Sequence, residues 1–153
     1  MATNEQPGEI ETIVAGTDGS ASAERAVREA ARLARATGSR LVLVSAFSDL
    51  HPYREHIQGS AREDLINLER VADQLLLRAA AQVDGKTQIE TVARDGDPAE
   101  VLADVAEEEG ARLIIVGDRG LTGVRRFLLG SVSHKLSHHA PCSVLIVREP
   151  DPG

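Results

Sequence analysis

Residues 113–131 read "LIIVGDRGLTGVRRFLLGS". The run "LIIV" is short, apolar and rich in β-branched residues, which suits a strand buried on both faces of a parallel sheet. The segment after it differs in kind: glycines at 117, 120, 123 and 130, three arginines among them, and Ser131 at the expected start of a helix. Glycine amides can approach an anion closely, and a helix start offers unpaired N–H groups and a partial positive charge. A buried strand feeding such a loop therefore predicts a phosphate cradle.

The rest of the chain repeats the strand-to-helix alternation. "TIVAG" (12–16) and "LVLVSAF" (41–47) are further continuous apolar runs, expected with 113–117 to be central strands. "TQIETVA" (87–93) mixes polar and apolar residues as an exposed edge would, and "SVLIV" (143–147) reads as the other edge. Apolar stripes mark the helices: Ala26, Val27, Ala30, Leu33 and Ala34 in the first, with serines at 20 and 22 as candidate caps, and Leu65, Leu68, Ala72, Leu75, Ala79 and Val83 in the second. "DPAE" opens a third, with Asp97 as cap, Pro98 at the first helical position, Glu100 completing a capping box and Gly110 as the stop. A fourth helix is expected over 131–139, ending before Pro141.

This alternation predicts an open, doubly wound α/β fold with a five-stranded parallel sheet. Ligands of such sheets bind beyond the carboxyl ends of the strands, where the order reverses. Residues 17–22, 47–59 and 118–130 are expected at that edge. The 153 residues suit one domain, set at 10–148 between short tails at 1–9 and 149–153. An open apolar edge is a liability that a second copy would cover, so a homodimer through 143–147 is expected.

Composition excludes several classes. A formal net charge of −7 argues against general attraction to nucleic acid or anionic membrane, so a positive site must be local. No run of eighteen apolar residues and no secretory leader is seen, and a cytoplasmic location is expected. The single cysteine, Cys142, excludes an internal disulfide and reads as a small core residue. His134 and His138 stand four apart on the last helix, but nothing placed in sequence completes a metal site, and none is expected. No nucleophile elbow or other catalytic spacing is present, so no catalytic residue is assigned.

The glycine spacing, Gly117, two residues, Gly120, nine residues, Gly130, Ser131, is neither the Walker loop nor the dinucleotide fingerprint. It resembles the universal stress protein family, in particular the nucleotide-binding branch with the signature G-x2-G-x9-G-[ST]. "GTDGS" after the first strand and "DGDPAE" before the third helix share the resemblance. The resemblance implies a Rossmann-like sheet of the adenine nucleotide alpha hydrolase type, with strand order 3-2-1-4-5. It further implies ATP with Mg²⁺ as ligand, phosphates held by amides around Gly117, Gly120, Gly130, Ser131 and Val132, and the Ser131 hydroxyl assisting. Asp18 matches the family's aspartate beside the nucleoside, although it would serve equally as a helix cap. Gly16, Ala46 and Val116 fall where family backbones line the adenine pocket, and several family members carry proline where Gly16 stands. Arg119, Arg125 and Arg126 are either solvated surface or phosphate contacts, with Arg119, inside the first glycine pair, the best placed.

The function so implied is a stress-response signalling or regulatory dimer that works by binding. Cyclic AMP is an alternative ligand, since some relatives are associated with it. A slow ATPase is a second alternative, although the "SGGxDS" loop of ATP-cleaving fold relatives is not reproduced by "GTDGSAS". A dimeric interaction module that binds no nucleotide is the third.

Overall fold

Five strands and four helices alternate through residues 11–48, 61–119 and 129–150, the portion described by a computed structural model of the chain. They run in the order β1 (Thr12–Gly16), α1 (Ala21–Thr37), β2 (Arg40–Phe47), α2 (Ala61–Ala80), β3 (Ile89–Asp95), α3 (Pro98–Glu108), β4 (Leu113–Gly117), α4 (Ser131–His139) and β5 (Ser143–Val147). All strand pairs are parallel and the sheet order is β3-β2-β1-β4-β5, as expected.

The apolar runs of the central strands are continuous because each strand feeds two cores. Ile13 and Ala15 of β1, Leu41 and Leu43 of β2 and Ile115 of β4 pack with Ala26, Val27 and Ala30 of α1 and Leu76 and Ala79 of α2. The alternate residues Val14, Val42, Val44, Ile114 and Val116 pack on the opposite face with Val101, Leu102 and Val105 of α3 and Leu136 of α4. Side chains alternate across a strand, so covering both faces requires every position to be apolar.

Local signals place the helix ends. Ser20 caps α1 by accepting the Ala23 N–H at 3.1 Å. Asp97 caps α3 by accepting the Glu100 N–H at 3.3 Å, with Pro98 in the first turn. Gly110 takes φ +61° just past the end of α3, a conformation that costs other residues about 1–2 kcal/mol.

Four expectations need correction. Val83 does not extend the stripe of α2, which ends at Ala80; it lies in the turn that follows. Leu76, at 3% exposure, is the buried leucine of α2; Leu75 is only half-buried and rests on Gly19. Spacings of four and three alternate along the inner face, 72 to 76 to 79, and three consecutive leucines hid that register. β3 begins and ends two residues later than expected: Arg94 and Asp95, beyond the expected run, pair with Ala46 and Phe47. Ser22 does not cap α1; it is buried against the end of β4.

That last contact leaves no room for a side chain on the strand. A Cβ on Gly117 would lie 2.1 Å from Ser22 Oγ and 2.8 Å from its backbone carbonyl carbon and oxygen. The Ser22 hydroxyl donates to Asp118 Oδ1 at 3.0 Å and accepts the Arg119 N–H at 3.2 Å. Gly117→Ala should therefore destabilise the protein by about 3 kcal/mol, since backbone atoms cannot yield as a side-chain tip would; chemical denaturation checks this. In α2, Leu76→Ala should cost about 2–4 kcal/mol and Leu77→Ala, at a site 71% exposed, about 0.5 kcal/mol or less. Equal losses at the two leucines in the same experiment would contradict the helix register.

Candidate functional site

The sheet order reverses between β1 and β4, each of which sends its chain to an opposite neighbour. Beyond the carboxyl ends of these strands lies a cleft. β1 and the turn after it contribute Gly16, Thr17 and Asp18; β2 contributes Val44 and Ala46; β4 and its continuation contribute Val116, Gly117 and Arg119. Ala23 of α1, Pro98 and Leu102 of α3, and Gly130 to Ser133 at the start of α4 complete the described wall.

Nine of the ten residues proposed from sequence meet in this wall: Gly16, Asp18, Ala46, Val116, Gly117, Arg119, Gly130, Ser131 and Val132. The tenth, Gly120, and the arginines at 125 and 126 lie outside the described residues. The histidines at 51 and 56, in the polar connection after β2, lie outside them as well.

Not all the loop amides are available to a ligand. The Asp118 N–H donates to the Val147 carbonyl at 3.2 Å, extending the β4–β5 ladder. The Gly130 N–H donates to the Asp118 carbonyl at 2.8 Å, and the Arg119 N–H is held by Ser22. These bonds bring the two ends of the loop together at Asp118 and Gly130. Gly117 owes its identity to the approach of Ser22, which leaves no room for a side chain. Gly130 has a different use: it is the N-cap of α4, with φ −63° and ψ 165°, and supplies no side-chain cap bond. A helix start carries unpaired N–H groups in its first turn, here on Ser131, Val132 and Ser133, and all three residues line the cleft. The Ser133 hydroxyl turns back to donate to the Gly130 carbonyl at 3.1 Å.

Arg119 adds the positive charge. Its Nε is buried without a hydrogen-bond partner among the described residues, and the nearby Asp118 Oδ2 stands 3.8 Å away, beyond hydrogen-bond reach. Asp18 Oδ1 accepts the Ser20 N–H at 2.9 Å, shaping the turn that leads to the α1 cap, and Asp18 lines the cleft. Its position is therefore beside the helix start while Ser20 does the capping.

The inner wall is apolar. Leu102 leans over the end of β1, where a Cβ on Gly16 would meet its Cδ1 at 2.9 Å. Leu102, Thr17, Ala23, Val44, Pro98 and Ser133 were missed as site residues. Leu102 and Val44 look in sequence like ordinary core positions; the "DPAE" helix signal was the one available clue that the start of α3 would reach the same edge. Cys142 lies away from this wall, partly buried against the α3–α4 core, and burial pushes its thiol above the usual value. No helix among the described residues is long and apolar enough to cross a membrane.

Comparison with known proteins agrees with this architecture. The family model described as "Universal stress protein family" matches residues 9–148. A universal stress protein of Thermus aquaticus is 34% identical over 141 residues, covering 91% of this chain and 99% of that protein. Among solved structures, a universal stress protein in complex with cAMP is 30% identical with a TM-score of 0.64, covering 92% of this chain and 98% of that one. The universal stress protein UspA from Lactobacillus plantarum is 22% identical and shares the fold at a TM-score of 0.69, over 92% and 99% of the two chains. With a family match over nearly its whole length and the sheet order expected of that family, the chain belongs to the universal stress protein family.

Proposed function

We propose that this protein binds an adenine nucleotide, ATP with Mg²⁺, in the cleft beyond β1 and β4, and acts as a stress-response regulatory dimer. The uncapped start of α4 carries this reading. Three first-turn amides without a partner inside the helix, the Ser131 hydroxyl and an arginine whose buried Nε makes no hydrogen bond among the described residues all belong to the cleft lining, and a phosphate would satisfy such donors. The apolar lining residues Val44, Ala46, Leu102 and Val116 suit a flat base. The cAMP complex of a relative 30% identical supports an adenine ligand.

The described residues hold no group of three or more His, Cys, Asp or Glu suited to a metal. Mg²⁺ would therefore arrive on the phosphates, as this ion commonly does. Its chemistry there would be to neutralise phosphate charge. Binding rather than turnover is the proposed role: Asp18 is the one carboxylate among the described lining residues, and its Oδ1 is engaged by the Ser20 amide.

For the dimer, β5 is the edge strand, and Val144 to Val147 are only half-buried. The Val147 carbonyl faces β4, so strand alternation turns the backbone groups of Val144 and Ile146 to the open edge. A second copy of this strand would pair with them.

Titration calorimetry on folded, nucleotide-free protein should give saturable binding of ATP with Mg²⁺ near one per chain. Arg119→Met should weaken it at least tenfold, about 1.4 kcal/mol, without loss of fold. No binding of either ATP or cAMP would reject the nucleotide site, and tighter binding of cAMP in competition would reassign the ligand. Light scattering at micromolar concentration should report a dimer that Val144→Pro converts to monomer, because proline removes an outward N–H. A strictly monomeric parent protein would refute the edge pairing.

A further inference from the structure

The outer face of α4 carries a feature that the nucleotide reading does not use. We propose that His134 and His138 form a two-imidazole chelate for a borderline first-row transition-metal dication such as Ni²⁺, Cu²⁺ or Zn²⁺. The two residues are one helical turn apart, both exposed, and their ring centroids lie 5.0 Å from each other. A metal at 2.0–2.1 Å from one nitrogen of each ring, with a bond angle between square and tetrahedral, puts the centroids about 4.5–5.2 Å apart. The one-turn spacing brings the rings within chelating reach, and rotation of these exposed side chains out of their edge-to-face contact, 69° between planes, would aim a nitrogen of each at one ion.

The electrostatics are compatible. His138 lies in the last turn of α4, where the helix dipole favours a cation, and the first turn contains no acidic residue to bias the ion elsewhere on the helix. Lys135, between the two histidines in sequence, directs its ammonium to the Asp97 carboxylate of α3 at 3.1 Å, which offsets its charge. His139 lies 6.3 Å from His138 and points about 100° away around the helix axis, so it is not a third ligand. With two protein nitrogens and no gathered third ligand among the described residues, water fills the remaining positions. The site is therefore exchangeable and prefers Cu²⁺ over Ni²⁺ and Zn²⁺, in the order usual for nitrogen ligands. It is also separate from the cleft, whose α4 contribution ends at Ser133.

Calorimetric titration of the nucleotide-free full chain with Ni²⁺ tests the assignment. The parent protein should bind one ion per chain in the micromolar range, and its thermal midpoint should rise with added Ni²⁺. His134→Ala and His138→Ala should each weaken binding at least tenfold and abolish the thermal shift, whereas His139→Ala should leave both unchanged. Absence of saturable binding in the parent overturns the proposal. So does affinity equal to the parent's in either His134→Ala or His138→Ala, which would place the ion elsewhere on the chain.

Discussion

The approach of Ser22 to Gly117 sets how the start of α1 meets the end of β4 at the edge of the cleft. A helix can dock this closely on the end of a strand only where the strand residue has no side chain, and at Gly117 even a methyl group would overlap the helix backbone. The Ser22 hydroxyl then serves two neighbours, donating to the buried Asp118 carboxylate and accepting from the Arg119 amide. Asp118 in turn uses its own N–H to extend the ladder to Val147 and its carbonyl to hold the Gly130 N–H. One buried serine thus ties together the start of α1, the end of β4, the edge strand β5 and the start of α4.

That arrangement divides the glycine loop into two kinds of donor. The amides of Asp118, Arg119 and Gly130 bond within the framework, and those of Ser131, Val132 and Ser133, in the first turn of α4, have no partner inside the helix. Buried amides must find partners, so the first group could not have been left open without cost. The second group lies at a helix start that glycine cannot cap with a side chain, and its residues face the cleft. Bond directions, rather than the number of glycines, separate the framework amides from those at the cleft.

Much of this was legible from residues alone. The strands of β1, β2 and β4 announced themselves because burial on both faces demands uninterrupted apolar residues, and α3 and α4 were bounded by Asp97, Pro98, Gly110 and Pro141. The register of α2 was not legible: with leucine at 75, 76 and 77, a one-residue shift leaves the pattern nearly unchanged. The end of β3 was missed because edge pairing is made by backbone groups and tolerates Arg94 and Asp95. Leu102 and Val44 escaped the site for a related reason, since a residue lining an apolar wall has the same character as one in the core.

Local sequence determined the alternation of strand and helix, the helix boundaries, the family resemblance and the spacing of the loop glycines, because these depend on short-range conformational preference and on periodicity. Tertiary structure alone decided which loop amides stay unpaired, why Gly117 must lack a side chain, and which leucine of α2 enters the core. Each of these depends on a contact between elements far apart in the chain, such as Ser22 with Asp118, and no local pattern encodes the distance at which two such elements come to rest.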